Sequence, residues 1–231
     1  LEAWQRCRRA GVDPKLAAFP EVTPDELKRR LDENAPLLES VTPSLDALVK
    51  DLGDALVQAC AVDNKGCVLK VWGRPVAAVP VLSQHLRPGA VFREAMCGST
   101  AFSMSMTGDK PFGCAGVEHY CEPLHGLAEA AVPVRDESAR RLGTIVLLAT
   151  AAEVSLPMLQ LVGRSCLRLA RTQQRVRQLR DQAQVFSQLV SGIMSTTSNP
   201  VVLIGPKGYL RAISPAAVRM LQVDLTQEFN R

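Results

Sequence analysis

Between positions 114 and 125 the chain carries two thiols and two imidazoles, Cys114, His119, Cys121 and His125, and sulfur and imidazole are good zinc ligands. Their separations, four residues, then one, then three, match none of the familiar zinc patterns, so neither a metal nor another cofactor is expected. Glu118 and His119 are adjacent. In a strand they would face opposite sides, whereas at a helix start the glutamate caps backbone amides while the imidazole turns inward. Ser99 and Thr100 offer hydroxyls, but no general base stands in a recognisable order with them. There is also no glycine-rich phosphate loop with lysine and no carboxylate pair, so catalysis is not expected. The same region does hold the parts of a binding pocket, which needs apolar walls and a few oriented polar groups. Trp72, Phe92, Phe102, Met104 and Tyr120 are candidates for the walls, and Cys97, Thr100, Glu118, His119, His125 and Glu129 for the polar contacts. Each aromatic ring among them has a competing reading as plain core filling.

The rest of the composition narrows the setting. A chain of 231 residues has room for two unequal units, each with its own core. No apolar run approaches the ~18 to 20 residues that cross a bilayer. The opening Leu1-Glu2-Ala3-Trp4 lacks the basic and apolar regions of a signal peptide. Seven cysteines without regular spacing read as free thiols, so the expectation is a cytoplasmic protein with no membrane contact. The net charge of +4 resides largely in Arg164, Arg168, Arg171, Arg175, Arg177 and Arg180, which read as the solvated face of one helix. Without a helix-turn-helix or zinc-finger pattern, direct nucleic-acid contact is not expected.

The elements that must position the candidate residues follow from periodicity. Thr23-Pro24 and Thr42-Pro43 each place a capping hydroxyl before a first-turn proline, predicting two helix starts within the first fifty residues, the first reinforced by Glu26. Leu56 to Val62 and Cys67 to Trp72 read as a hairpin around Asn64-Lys65-Gly66. Prolines 75, 80 and 88 then impose an irregular segment. Gly98 to Met106 suits a short buried helix, and Phe112 to Ala115, Leu127 to Val134 and Leu142 to Thr150 suit strands. From Ser155 to about Ser195, apolar residues recur at threes and fours in a helix expected to pack first on its own domain and then on a second copy. After Asn199-Pro200, Val201 to Ile204, Tyr209 to Ile213 and a helix from Pro215 repeat the hairpin-then-helix theme. The fold class is therefore α+β: an antiparallel sheet flanked by helices, then a long helix, then an unfinished second domain.

Ordered motifs add a family resemblance. Trp4-Gln5-Arg6-Cys7 followed by Gly11, Val62-Asp63-Asn64-Lys65-Gly66, Glu94 to Ala101, Glu118-His119-Tyr120, His125-Gly126-Leu127 with Ala131 to Asp136, and Val201 to Met220 with Asn199-Pro200, Gly208 and Ser214-Pro215-Ala216-Ala217 are spread over nearly the whole chain. They resemble the N-terminal sensory region of bacterial enhancer-binding transcription activators of the acetoin-catabolism and dihydroxyacetone regulator type, many of which work with sigma factor 54. The chain departs from that pattern at Ser103 and Met104, and at Ala128-Glu129. The resemblance implies a helical segment over 1–53, a GAF sensor domain over 54–154, a signalling and dimerisation helix over 155–197 and the start of a PAS domain over 198–231. It also implies a small-molecule effector and a homodimer, with ATPase and DNA-binding modules elsewhere in the protein. Two alternatives remain open, a module that senses a partner protein and a thiol or metal redox sensor built on Cys97, Cys114 and Cys121.

Overall fold

The computed structural model describes residues 2–16, 19–52, 58–76, 79–107, 110–136, 138–152, 154–206 and 208–222. By its contacts the chain divides into two units, residues 1–172 and 173–231. The first is built on a five-stranded antiparallel sheet of β1 (Gln58–Val62), β2 (Val68–Trp72), β3 (Phe112–Ala115), β4 (Leu127–Arg135) and β5 (Arg141–Thr150), in the order β2-β1-β5-β4-β3. The three predicted strands from Phe112 onward lie within a residue of their expected bounds. The first strand was expected from Leu56, and residues 56 and 57 lie outside the described set.

Both faces of this sheet are covered, which is why β4 and β5 read as almost unbroken apolar runs. Cys60, Cys114, Leu127, Ala131, Val146 and Leu148 point to one face, and Ala59, Ala128, Ala130, Val132, Ile145 and Leu147 to the other. The first face packs against α1 (Glu2–Arg9), α4 (Pro80–His85), α5 (Glu94–Cys97) and α6 (Ala101–Thr107), with 3-10 turns at Gly116–Glu118 and Glu122–Leu124. The second packs against α3 (Ala35–Leu52) through Leu37, Val41 and Leu45, and against the first turns of a long helix, α7 (Leu156–Thr196), through Leu159 and Cys166.

Local chemistry explains most of these boundaries. The Thr23 hydroxyl accepts the amide of Glu26 at 3.3 Å and opens α2 (Pro24–Glu33). The Glu26 carboxylate turns to Arg29 and Arg30, each at 2.7 Å. The second predicted start, at Thr42-Pro43, is corrected: α3 begins at Ala35 and runs through Pro43. Leu37, Val41 and Leu45 form one buried stripe across the proline, and that burial outweighs the lost helical hydrogen bond. At the β1–β2 turn, Asp63 Oδ1 accepts the amides of Lys65 and Cys67 at 2.7 and 2.8 Å. Gly66 adopts φ +88°, and a Cβ there would lie 2.7 Å from the carbonyl oxygen of Phe92.

In the second unit, α7 continues to Thr196 and is followed by a hairpin of β6 (Val202–Ile204) and β7 (Leu210–Ile213) and by α8 (Pro215–Leu221). Ser214 caps α8, accepting the amides of Ala217 and Val201 and donating to the Asn199 carbonyl. Within this unit Val176, Leu179, Phe186 and Ile193 stand exposed on α7. Residue 207 of the predicted turn, and residues 223–231, lie outside the described set. Among the described residues no helix is long and apolar enough to cross a membrane.

Candidate functional site

The first face of the sheet carries the site. Cys114 on β3 sits directly opposite Glu129 on β4 in the antiparallel register, so the two side chains share that face. Glu129 is 3% exposed, a carboxylate inside an otherwise apolar layer. Two groups meet it: the backbone amide of Ala101 at the start of α6, which donates, and the imidazole of His119, whose Nε2 lies 3.1 Å from Oε1. His119 arrives from the end of the 3-10 turn after β3 and is fully buried. Its Nδ1 lies 2.9 Å from the Gly116 carbonyl; a carbonyl only accepts, so Nδ1 carries a proton. Burial acts to lower the His119 pKa. The hydrogen bond and charge of Glu129, with the Gly116 carbonyl, outweigh it and leave the value raised.

The neighbouring Glu118 does what a glutamate at a helix start does, accepting the Ala115 amide at 2.9 Å. Its own carbonyl accepts the Trp4 indole N–H at 3.0 Å, and the Trp4 and Tyr120 rings meet edge to face at 5.6 Å. Arg6 makes a forked ion pair with Glu94, and Cys7 enters the core. The Trp4 to Cys7 motif is thus a clamp that fastens α1 over this face of the sheet.

Two spaces flank the Cys114–His119–Glu129 group. One is an open groove of about 400 Å³ with Trp4, Ser99, Met104, Phe112, Cys114 and Val117 on its walls. Ser99 is buried, and its hydroxyl has no hydrogen-bond partner among the described residues. The other is an apolar cavity of about 10 Å³, room for a single water-sized group, walled by Phe92, Thr100, Phe102, Leu127 and Glu129. Phe92 stacks on Phe19 at 4.6 Å and leans on Phe102, filling most of that interior.

The structure therefore brings Phe92, Thr100, Phe102, His119 and Glu129 together and places Met104 on the adjoining groove, its sulfur 3.3 Å from Arg6 Nη2. Thr100 is engaged as a cap: its hydroxyl accepts the Ser103 amide and the Ser103 hydroxyl accepts the Thr100 amide, each at 3.0 Å. Cys97 is fully buried and directed at the Arg93 carbonyl, and Tyr120 donates to the Val12 carbonyl at 3.2 Å. His125 is bonded at 3.2 Å to the backbone oxygen of His119. Trp72 lies on the opposite face, packed with the α3 side of the core; its indole donates to Asp46 at 2.7 Å and Lys70 Nζ lies 4.7 Å from its ring centroid. A strand of period two explains this, since the face a strand-end side chain takes depends on register rather than on residue type. Sequence reasoning missed Trp4, Ser99, Phe112 and Val117 as walls of the groove. Trp4 and Ser99 carried a signal, each through its motif.

All seven cysteines are buried. Burial pushes the Cys67, Cys121 and Cys166 thiols up to about 11, and burial with the charge of Glu129 raises those of Cys60 and Cys114 further and holds that of Cys97 well above its ordinary value. Such thiols are the opposite of the low-pKa, accessible cysteines that redox sensing uses.

Over residues 1–169 the chain belongs to the family described as MimR, N-terminal domain. It is 28% identical over 152 residues to the acetoin dehydrogenase operon transcriptional activator AcoR of Bacillus subtilis, a match covering 65% of this chain and 25% of that protein. It is 28% identical over 166 residues to the propane 2-monooxygenase operon transcriptional activator MimR of Mycolicibacterium smegmatis, covering 71% of this chain and 27% of that protein. The chain thus spans about a quarter of the length of these curated relatives. Its fold is similar to that in the crystal structure of the E. coli DhaR(N)–DhaL complex, with a TM-score of 0.73 at 19% identity, covering 100% of this chain and 79% of that one. The resemblance read from the motifs and the α+β, GAF-like fold class are borne out.

Proposed function

We propose that this chain is the effector-sensing regulatory region of a bacterial transcription activator rather than an enzyme. In this reading residues 54–154 form the sensor, 155–197 the signalling helix and 198–231 the start of a PAS domain. ATPase and DNA-binding modules lie elsewhere in the protein. The observation that carries the sensing role is the groove of about 400 Å³ beside Cys114: its volume suits a small metabolite, its walls are mainly apolar, and the buried hydroxyl of Ser99 stands there without a partner. The inner cavity is too small for a metabolite, so the effector belongs in the groove under α1. An effector that prefers one arrangement of α1, α6 and the Gly116–Glu118 turn shifts the balance between arrangements, and only such differential affinity transmits a signal.

The experiment is a thermal-shift screen of small alcohols, ketones and diols against this chain, followed by fluorescence. At a hundredfold excess over Kd a ligand contributes about 2.7 kcal/mol, and Tm rises by roughly 5 to 10 °C. Trp4 faces the groove and Trp72 does not, so quenching or enhancement by a hit disappears in Trp4→Phe and persists in Trp72→Phe. A broad screen without a stabilising compound removes the small-molecule reading.

A protein partner is the second reading, favoured by one observation: the similar DhaR(N) was crystallised with DhaL. The exposed apolar stripe of α7 then pairs with a second copy or receives such a partner.

A further inference from the structure

We propose that Cys114, His119 and Glu129 form a three-ligand site for a divalent transition-metal ion of the zinc class, with its remaining position open toward the groove. One ligand atom from each residue, a thiol sulfur, an imidazole nitrogen and a carboxylate oxygen, lies within 4.8 Å of the others, and all three residues are buried. The donor set is one that zinc accepts, and three protein ligands leave a coordination position for water or a ligand.

His119 Nδ1 donates to the Gly116 carbonyl, so in the neutral imidazole Nε2 is a lone pair. That lone pair faces a carboxylate oxygen at 3.1 Å in the interior of the sheet layer. Two electron-pair donors so placed need a cation between them, either a proton or a metal ion. The outer hydrogen bonds are those that metal sites use, an imidazole fixed through its far nitrogen by a backbone carbonyl and a carboxylate held by a backbone amide.

Charge gives the second argument. A thiolate and a carboxylate carry two negative charges, which a divalent ion cancels, so the loaded site is neutral. Loading releases the thiol proton of Cys114 and the proton shared by His119 and Glu129, and no charge is left in the apolar layer. Access is the third. Cys114 forms part of the groove wall together with Ser99, whose unpartnered buried hydroxyl offers a polar contact to a group entering beside the ion. Among the four sulfur and imidazole residues clustered in the sequence, Cys121 and His125 point to the backbone oxygens of Cys97 and His119. The structure thus keeps Cys114 and His119 and supplies Glu129 from the next strand.

The test titrates chelator-treated chain, shown to be folded by far-ultraviolet circular dichroism, with Co²⁺ as the probe and Zn²⁺ as competitor. The expected result is about one equivalent bound, with a thiolate-to-cobalt charge-transfer band that zinc abolishes. Cys114→Ser loses the band and Cys121→Ser retains it, while His119→Gln and Glu129→Gln weaken cobalt by more than about tenfold. Folded wild-type chain that takes up neither ion overturns the proposal, as does a band that survives in Cys114→Ser. Effector binding is measured separately by thermal shift, so either reading can fail without the other.

Discussion

Arg30 and Asp63 meet as a buried ion pair, Nη1 to Oδ2 at 2.7 Å, joining α2 to the β1–β2 turn across thirty-three residues of chain. The other oxygen of Asp63 holds the turn through the amides of Lys65 and Cys67. Asp63→Ala therefore strips the turn and leaves a guanidinium buried with Glu26 as its remaining carboxylate, at a cost of about 3 kcal/mol. Asp63→Asn keeps acceptors for the turn and costs less. Urea unfolding of the three proteins orders them wild type, Asn, Ala; equal midpoints for all three refute the pair's structural weight.

Gly143 on β5 gives a sharper steric test. A Cβ there would lie 2.5 Å from Leu37 Cδ2 and 2.5 Å from the carbonyl oxygen of Val62. The leucine can yield, but the carbonyl belongs to the sheet ladder and cannot. Gly143→Ala is expected to destabilise by about 1–3 kcal/mol. Leu37→Ala is itself destabilising because it empties a buried site, so the relief is read as a smaller but still unfavourable Gly143→Ala step in the Leu37→Ala background. A Gly143→Ala step that costs nothing in the Leu37→Ala background places the strain on the side chain alone.

These contacts show which parts of the molecule were legible beforehand. The strands from Phe112 to Thr150 were, because each is a short apolar run bounded by turn residues. The Thr23 cap was legible as well, because its hydrogen bond is local. Pro43 was misread because a helix can absorb a proline when a long-range apolar stripe pays for it, and Leu37, Val41 and Leu45 show that only once folded. His119 and Glu129 each stood out as candidates, but their pairing depends on the 3-10 turn after β3 and on the β3–β4 register. Trp72 was a candidate wall for its ring. Register assigned it to the other face, and Trp4, remote in sequence, took a place at the groove.

The thiols give the pH dependence. Cys67 and Cys166 are raised from the ordinary 9.0 to about 11 in the folded chain, the first by burial and the charge of Asp63, the second by burial. A group that holds its proton more tightly when folded stabilises the fold below its unfolded pKa, and that stability is lost as pH rises through the folded value. The Tm is expected to be insensitive to these thiols up to pH about 9 and to fall between about 9 and 11. Cys166→Ala makes the decline shallower. A disulfide-exchange reagent at neutral pH should label the folded chain far more slowly than the urea-unfolded chain; equal rates contradict the burial of all seven thiols.

The second unit's helix yields the test of self-association. Val176, Leu179, Ala183, Phe186, Val190 and Ile193 alternate by threes and fours, the spacing of a two-helix seam. Leu179 is 55% exposed and Phe186 66%, far more than residues inside such a seam retain, so the single chain leaves the stripe uncovered. Burying a leucine or phenylalanine is worth about 1.5–3 kcal/mol, and each counts twice in a symmetric dimer. Phe186→Glu, which also sets like charges against each other, is therefore expected to weaken a dimer by two orders of magnitude or more. It should leave Tm for the first unit's unfolding in place, because that unit ends at residue 172. Light scattering after size exclusion reads the outcome: a wild-type chain that dimerises and a Phe186→Glu chain that does not support the seam. A dimer untouched by Phe186→Glu moves the interface elsewhere.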